Sequence, residues 1–177
     1  MSVAHTWGTS AVERALSFPC DAFVERMDVA CWRGVSVHAD AATTFRWLCQ
    51  LRAAPYSYDW IDNLGRRSPR TVTPGLDQLE VGQRVMTIFD LVAFERDRHL
   101  TLRTRRFAPG LWPAVAVSYL LRPLGARETR LLAKLAVQVR PGWLGAVASA
   151  LLPWGDLVMM RRQLSNLKAL AEASAAA

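Results

Sequence analysis

The clearest alternation of apolar and polar residues lies in the segment TRLLAKLAVQV, residues 129–139. Its odd-numbered positions from 131 onward are all apolar, and the even-numbered positions of 130–140 form the other, more polar face. A period of two predicts a β-strand with one buried and one mostly wet face, as in an antiparallel sheet that is covered on one side. Similar signals predict four further strands, at 29–38, 83–94, 99–107 and 114–124.

Two short helices are predicted between the first and second of these strands. Asp40 offers an N-cap to the segment AATTFRWLCQLRA, whose apolar and aromatic residues cluster on one side of a helix that Pro55 ends. Residues 56–64 then form a second short helix, which Gly65 closes. The following SPRTVTPG predicts a loop, because it contains two prolines and a glycine.

A long helix is predicted after Pro153, where apolar residues recur at helical spacing opposite polar ones. The apolar stripe consists of Leu157, Met160, Leu164, Leu167 and Ala171. We expect this stripe to lie on the sheet. The preceding segment WLGAVASALL is predicted to be a separate helical piece, kinked away at Pro153.

The order of these elements is strand, two short helices, a run of antiparallel strands and a long final helix. Few folds fit that order, and one of them is an α+β domain whose curved antiparallel sheet wraps around its last helix. We expect residues 28–177 to form this single domain and residues 1–27 an N-terminal extension with a short helix near 10–17. A curled sheet and a helix leave space between them, so an apolar cavity is expected.

Several segments also resemble a known family. They are FRWLCQL, YSYDWIDNLGRRSP, GLDQLEVGQRVMTIFDLVAFE, TRLLAKL and DLVMMRRQLSNLKALAE. They resemble bacterial members of the START-like helix-grip superfamily, also called SRPBCC or polyketide cyclase/lipid-transfer-like, over roughly residues 18–173. The resemblance implies a helix-grip fold with a hydrophobic cavity for lipids, polyketides or sterols. It also implies that the protein is either a ligand carrier or an aromatase or cyclase. The branch of Rieske oxygenase subunits is excluded, since its Cys/His ligand motif does not occur.

Composition and charge narrow the functional classes. Apolar residues make up 51% of the chain and charged residues 21%, which indicates a globular protein. The net charge is +7, but the arginines are scattered and interleaved with acids, so nucleic acid is not expected as a partner. Only Arg103, Arg105 and Arg106 form a tight cluster. They are expected to be a solvated surface, with an anionic headgroup or an acyl carrier protein as the alternative partner.

Cysteines and short motifs exclude further classes. Cys20, Cys31 and Cys49 are odd in number without a CxxC pair, so free thiols in a reducing, cytoplasmic compartment are expected. No Cys or His pair has zinc-ligand spacing and no phosphate-loop motif occurs, so neither a metal nor a cofactor is predicted. The longest apolar run, residues 143–154, is too short for a transmembrane helix, which needs about 20 residues.

The block YSYDWIDN has two interpretations. In the structural one, Trp60 fills the core, while Tyr56 and Tyr58 brace the corner between the short helices. In the functional one, a tyrosine and an aspartate point into the cavity as an acid–base pair, because burial raises the pKa of a carboxyl. Tyr58 and Asp62 are four residues apart and would share one face of a helix.

Further candidate residues lie in the predicted strands and in the final helix. Asp90 interrupts the apolar segment MTIFDLVAF. An exposed edge position accounts for it, whereas an inward position would make it a catalytic candidate. The candidate catalytic residues are therefore Tyr58, Asp62 and Asp90. The candidate ligand-binding residues are Tyr56, Tyr58, Trp60, Phe89, Tyr119, Leu157 and Met160.

The sequence favours binding of a hydrophobic small molecule, polyketide-, lipid- or terpenoid-like, in the internal cavity of a monomer or homodimer. The alternative is a cofactor-independent cyclase, dehydratase or isomerase that acts on such a ligand by Tyr and Asp acid–base chemistry. A third interpretation is an interaction module with a fully packed interior. An open cavity with ionisable groups would favour the enzyme, and a purely apolar one the carrier.

Overall fold

A six-stranded antiparallel sheet and a long C-terminal helix make up most of the part of the chain that the structure describes. The computed structural model describes residues 2–63, 65–105, 114–139 and 141–176. The strands are β1 (Val29–Val37), β2 (Arg84–Val85), β3 (Phe89–Glu95), β4 (His99–Thr104), β5 (Ala114–Gly125) and β6 (Glu128–Gln138). Their order across the sheet is β1-β6-β5-β4-β3-β2. The curved sheet holds the helix, so the predicted α+β helix-grip fold is confirmed.

The shorter helices precede the sheet or follow its first strand. The helices are α1 (Val3–Thr6), α2 (Ala11–Arg14), α3 (Ala41–Cys49), α4 (Asp59–Asp62) and α5 (Trp143–Ala176), with 3₁₀ turns at Pro19–Phe23 and Gln50–Arg52. Asp40 caps α3 as predicted, because its Oδ1 atom accepts a hydrogen bond from the Thr43 N–H at 2.7 Å. This bond satisfies a backbone donor that would otherwise have no partner in the first turn.

The main core lies between the inner face of the sheet, α3 and the second half of α5. α3 contributes an aromatic side to it, and the Trp47 ring meets the Tyr56 ring edge-on at 6.2 Å between centroids. The predicted strand face of β6 supplies Leu131 and Ala133, which are buried against these helices. The core thus packs two helices against one sheet face.

The outer face of β6 is also buried, so the prediction of a mostly wet face is wrong. Leu132 is fully covered, and Phe18 and Cys20 of the N-terminal segment pack in the same cluster. Lys134 is buried as well, and its Nζ atom lies 2.7 Å from an Asp21 carboxylate oxygen. Alternation along a strand reports the polarity of each face, but it does not show that a distant segment covers one of them.

The segment predicted as one strand at 83–94 is a hairpin instead. β2 and β3 pair antiparallel, and residues 86–88 form the turn between them. Met86 and Thr87 have left-handed backbone, with φ of 47° and 64°. That conformation is rare for a β-branched residue such as threonine. The Met86 N–H donates to the Leu51 carbonyl at 3.2 Å, which ties the turn to the chain after α3.

α5 runs without interruption through Pro153, so the predicted separate helical piece belongs to the same helix. In its second half the predicted stripe is buried through Met160, Leu164, Leu167 and Ala171. Its first half exposes the large apolar side chains Trp143, Leu144, Val147, Leu151, Trp154 and Val158. By length and composition α5 suffices to cross a membrane, a property that core helices of soluble proteins share. The two halves of the helix therefore have different surroundings.

Candidate functional site

A pocket of about 660 Å³ lies between the inner face of the sheet and the middle of α5, residues 152–163. We call it the sheet–helix pocket. Strands β5 and β6, the β2–β3 hairpin, α4, α5 and the chain between α3 and α4 contribute to its walls. Most of the lining is apolar, and includes Ile88, Phe89, Val117, Leu135, Leu152 and Met159. Such a wall excludes well-hydrated groups and favours a lipophilic occupant.

Gly155 widens the pocket on the side of α5. It belongs to the lining, and a Cβ atom built on it would meet no heavy atom within 4 Å. Met159 and Met160, one turn further along the helix, also line the pocket. Unbranched methionine side chains adapt to occupants of different shape. This wall therefore combines open space with deformable side chains.

A hydrogen-bonded chain braces the pocket across three elements. The Tyr119 hydroxyl on β5 donates to Gln163 Oε1 at 2.6 Å, and Gln163 Nε2 donates to the Pro55 carbonyl at 2.6 Å. Burial raises the pKa of the Tyr119 phenol, which is fully enclosed. The phenol therefore keeps its proton, and that proton is directed at Gln163. Tyr119 fixes the wall and presents its ring to the pocket.

A buried ion pair stands behind the same wall. Arg33 on β1 is almost completely buried, and its Nη2 atom lies 2.6 Å from Asp156 Oδ2 on α5. The guanidinium also donates to the carbonyls of Trp32, Ala4 and Pro153 at 2.9, 2.7 and 3.2 Å. Burial raises the pKa of the Asp156 carboxyl, while the Arg33 charge opposes that rise. Asp156 itself lines the pocket.

Asp62, at the end of α4, brings a second carboxyl to the pocket. Its Oδ1 atom is buried and finds no hydrogen-bond partner within the described part of the chain. Burial raises the pKa of this carboxyl, and the backbone N–H of Asp62 itself opposes the rise. The sheet–helix pocket therefore holds two carboxyls in an otherwise largely apolar wall. An acid–base function needs this kind of environment.

Tyr58 and Trp60 lie in a different depression on the protein surface. This depression, of about 650 Å³, runs between the chain around α4 and the outer side of α5, and we call it the arginine groove. Its basic lining residues are Arg67, Arg70 and Arg162. The Arg162 guanidinium lies over the Tyr58 ring at 6.0 Å, and the Trp60 side chain is 76% exposed. Tyr56 also borders this groove, although it is almost entirely buried.

The separation of Tyr58 from Asp62 follows from where α4 begins. Tyr58 precedes the helix and has extended backbone, with φ of −102° and ψ of 93°. The spacing of four residues therefore does not place the two side chains on one helical face, as it would within a continuous helix. Ser57 borders both depressions, so the chain between α3 and α4 is the partition between them.

The other predicted residues are divided between the pocket and its surroundings. Phe89, Tyr119 and Met160 line the sheet–helix pocket. Asp90 lies outside it and is partly exposed, with its Oδ1 atom 3.2 Å from the Arg105 Nε atom. Leu157 is half-buried and does not belong to the described lining of either depression.

Sequence reasoning missed three polar residues that shape the pocket, namely Arg33, Asp156 and Gln163. Two of them carried a signal, because Arg33 is the only charge in VACWRGVSV and Asp156 the only charge in WGDLVMM. A lone charge within an apolar segment needs a partner if it is buried. Two such charges of opposite sign on elements expected to pack together indicate a pair. Gln163 carried no such signal.

Comparison with known proteins shows the fold. No protein-family model and no curated protein matches the sequence. The hypothetical protein jhp0584 from Helicobacter pylori matches with a TM-score of 0.59 and 16% identity, over 89% of this chain and 96% of that one. The protein MLL2253 from Mesorhizobium loti matches with a TM-score of 0.51 and 15% identity, over 82% of this chain and 98% of that one.

A third solved structure carries a functional description. The di-domain ARO/CYC protein StfQ from the steffimycin biosynthetic pathway matches with a TM-score of 0.56 and 14% identity, over 84% of this chain and 52% of that one. This chain is thus similar to about half of StfQ. At such identities the likeness shows a shared helix-grip fold.

Proposed function

We propose that the protein binds a lipophilic small molecule, polyketide-, lipid- or terpenoid-like, in the sheet–helix pocket. The observation that carries this proposal is the apolar pocket of about 660 Å³ between the sheet and α5. Ligand pockets in proteins range over about 300–1,000 Å³ and have mostly apolar walls with a few polar groups. The shared fold with an ARO/CYC protein supports the same class of occupant.

The energetics of the pocket favour such a ligand. Apolar surface gains roughly 25 cal/mol for each Å² that is removed from water. The wall offers apolar and sulfur-bearing side chains, and the space above Gly155 is open. The hydrogen-bonded chain from Tyr119 through Gln163 to Pro55 links three elements of the wall to one another.

A neutral fluorescent lipophile tests the proposal. N-phenyl-1-naphthylamine becomes brighter in an apolar site, so titration with the protein should give a saturable signal. In Gly155→Leu the added side chain should fill open space in the pocket and weaken binding by about tenfold or more, or about 1.4 kcal/mol. Gly125→Leu is the matched control, because a Cβ atom there also meets nothing within 4 Å and the site lies outside the described pocket. Equal binding by both variants would count against the pocket as the site.

A second candidate function is acid–base catalysis on the bound ligand. The observation that favours it is the pair of carboxyls, Asp62 and Asp156, whose pKa values are raised by burial. Carboxyls with a raised pKa hold a proton more readily and can pass it to a bound substrate, as the cyclisation or dehydration of a polyketide-like substrate requires. The reaction would be cofactor-independent. We expect Asp62 to exchange the proton, since Asp156 is engaged by Arg33.

Product analysis distinguishes the catalyst from the carrier. The protein is incubated with a lipophilic extract, bound species are identified by native mass spectrometry, and the extract is analysed for altered compounds. Asp62→Asn should abolish any conversion of the ligand while ligand binding persists. Tyr58→Phe changes a residue of the arginine groove and should leave the conversion unchanged. Recovery of the ligand unaltered from the unmodified protein would contradict catalysis and leave the carrier function in place.

A further inference from the structure

The charged side chains in the described lining of the sheet–helix pocket are all acidic. Two acidic side chains line it, and none of its described lining residues is Lys, Arg or His. Asp156 is paired with Arg33, so those two charges compensate each other. Asp62 has no such counter-ion among the described residues, and the charge that acts on it is the repulsive one of Asp59. Asp62 is thus the uncompensated acid of the pocket.

Asp62 also presents an unused hydrogen-bond acceptor. Its buried Oδ1 atom lacks a partner among the residues that the structure describes. Buried polar atoms in proteins nearly always have a partner, and because Asp62 lines the pocket, a group of a bound ligand can supply the missing one. A carboxylate oxygen accepts hydrogen bonds and cannot donate them. The group that fits here is a donor.

Four side chains of the described lining carry hydrogen-bond donors, and three of them, all except Thr87, are engaged within the protein. The Tyr119 hydroxyl donates to Gln163, and the Gln163 amide donates to the Pro55 carbonyl. The Ser57 hydroxyl donates to the Met159 carbonyl at 3.1 Å. A ligand that needs donors from the protein therefore finds few of them. A ligand that brings its own donor finds the free acceptor of Asp62.

We infer that the sheet–helix pocket selects lipophiles whose polar group donates a hydrogen bond, an amine or a hydroxyl, and rejects those that end in a carboxylate. The inference rests on the proposed binding function and names the ligand class within it. A carboxylate in this pocket would add a like charge beside Asp62, in an apolar site without a described counter-ion. An ammonium group compensates the Asp62 charge, and a hydroxyl donates to it without adding charge.

Three ligands with the same tail and different polar groups test the inference. Decylamine, 1-decanol and decanoate are titrated against the complex of the protein with N-phenyl-1-naphthylamine, and displacement of the dye is measured near neutral pH. Decylamine and 1-decanol should each bind about tenfold or more tightly than decanoate. In Asp62→Asn the charge disappears and the side chain gains a donor, so the three affinities should converge to within about threefold.

Asp97→Asn is the matched control, because it makes the same chemical change in the β3–β4 turn, outside the described pocket. It should preserve the preference of the unmodified protein. Decanoate that binds as tightly as decylamine, or a preference that survives Asp62→Asn, would overturn the inference while leaving the binding function in place. Failure of the dye and of all three decyl compounds to bind would overturn the binding function and the inference together.

Discussion

The buried pair of Arg33 and Asp156 gives the sharpest test of how this pocket is built. Arg33→Met removes the ion pair at 2.6 Å and the three hydrogen bonds from the guanidinium to backbone carbonyls. Asp156 then stands in its buried position without a counter-ion, and it must take up a proton. The ordinary pKa of Asp is 3.8. Protonating an ordinary carboxyl at pH 7 costs about 4 kcal/mol, since each pKa unit corresponds to about 1.4 kcal/mol. Burial already raises the pKa of Asp156 to about 6 in the paired state, so only about 1.4 kcal/mol of this cost is new. The loss of the guanidinium's hydrogen bonds to three buried carbonyls adds about 1–3 kcal/mol.

A comparable loss is typical when one partner of a buried pair is removed, about 3–5 kcal/mol. We therefore expect Arg33→Met to lower the free energy of unfolding by about 3–5 kcal/mol. Asp156→Leu should also destabilise the protein, because it leaves the guanidinium charge unpaired. The double variant replaces both charges with apolar side chains and should recover about 2 kcal/mol or more of the summed losses.

Urea unfolding, followed by far-ultraviolet circular dichroism and by tryptophan fluorescence, measures all four proteins of this cycle. The two signals should coincide if unfolding is two-state. A loss below about 1 kcal/mol in Arg33→Met would refute the reasoning, because it would mean that the charge is not buried as described. Strict additivity of the two single losses would refute it as well, since directly paired residues must couple.

The pH dependence of the free energy of unfolding in the same variants provides an independent test. Burial raises the pKa of Asp156 in the folded protein, so the folded state holds a proton at pH values where the unfolded chain has released it. The Asp156 carboxyl therefore makes its full contribution to the free energy of unfolding below the ordinary pKa of Asp. That contribution is lost as the pH rises through the pKa of Asp156 in the folded protein. Arg33→Met should strengthen this trend and the double variant should lack it. Burial raises the pKa of the neighbouring Cys31 to about 11 and also raises that of Tyr119, so neither titrates in this range.

Three further substitutions test single features of the fold. Gly155→Ala should raise the free energy of unfolding by about 0.5–1 kcal/mol in urea titrations, because alanine is the better helix former and its Cβ meets open space; a destabilised variant would contradict the open wall. Tyr119→Phe should cost about 1–2 kcal/mol, measured in the same way, since Gln163 Oε1 loses its donor at 2.6 Å; an unchanged midpoint would argue against that bond. Asp40→Ala should cost about 1 kcal/mol through loss of the cap on Thr43, with Asp40→Asn as the nearly neutral control.

Local patterns in the sequence predicted most elements of the fold. The alternation in β6, the cap at Asp40 and the apolar spacing from Met160 to Ala171 each describe an element that its own residues stabilise. These elements fit few chain topologies, and the resemblance to helix-grip proteins pointed to the same one. The candidate residues Phe89, Tyr119 and Met160 follow from that fold, because they lie on strand or helix faces that turn toward the interior.

Residues distant in the chain decided the rest, and local patterns do not report such contacts. Arg33 and Asp156 meet although they are 123 positions apart. The outer face of β6 is buried because Phe18 and the rest of the N-terminal segment cover it.

The sequence by itself determined most of the strands and helices, because periodicity and capping are properties of neighbouring residues. It did not reveal the turn at residues 86–88 that separates β2 from β3, nor the continuity of α5 through Pro153. It also determined that the interior between sheet and final helix would be apolar. Only the tertiary structure decided that Asp62 turns toward the pocket and Tyr58 toward the arginine groove, since α4 begins after Tyr58. It alone supplied Asp156 with a counter-ion, because the free energy of a buried charge depends on groups that folding brings together.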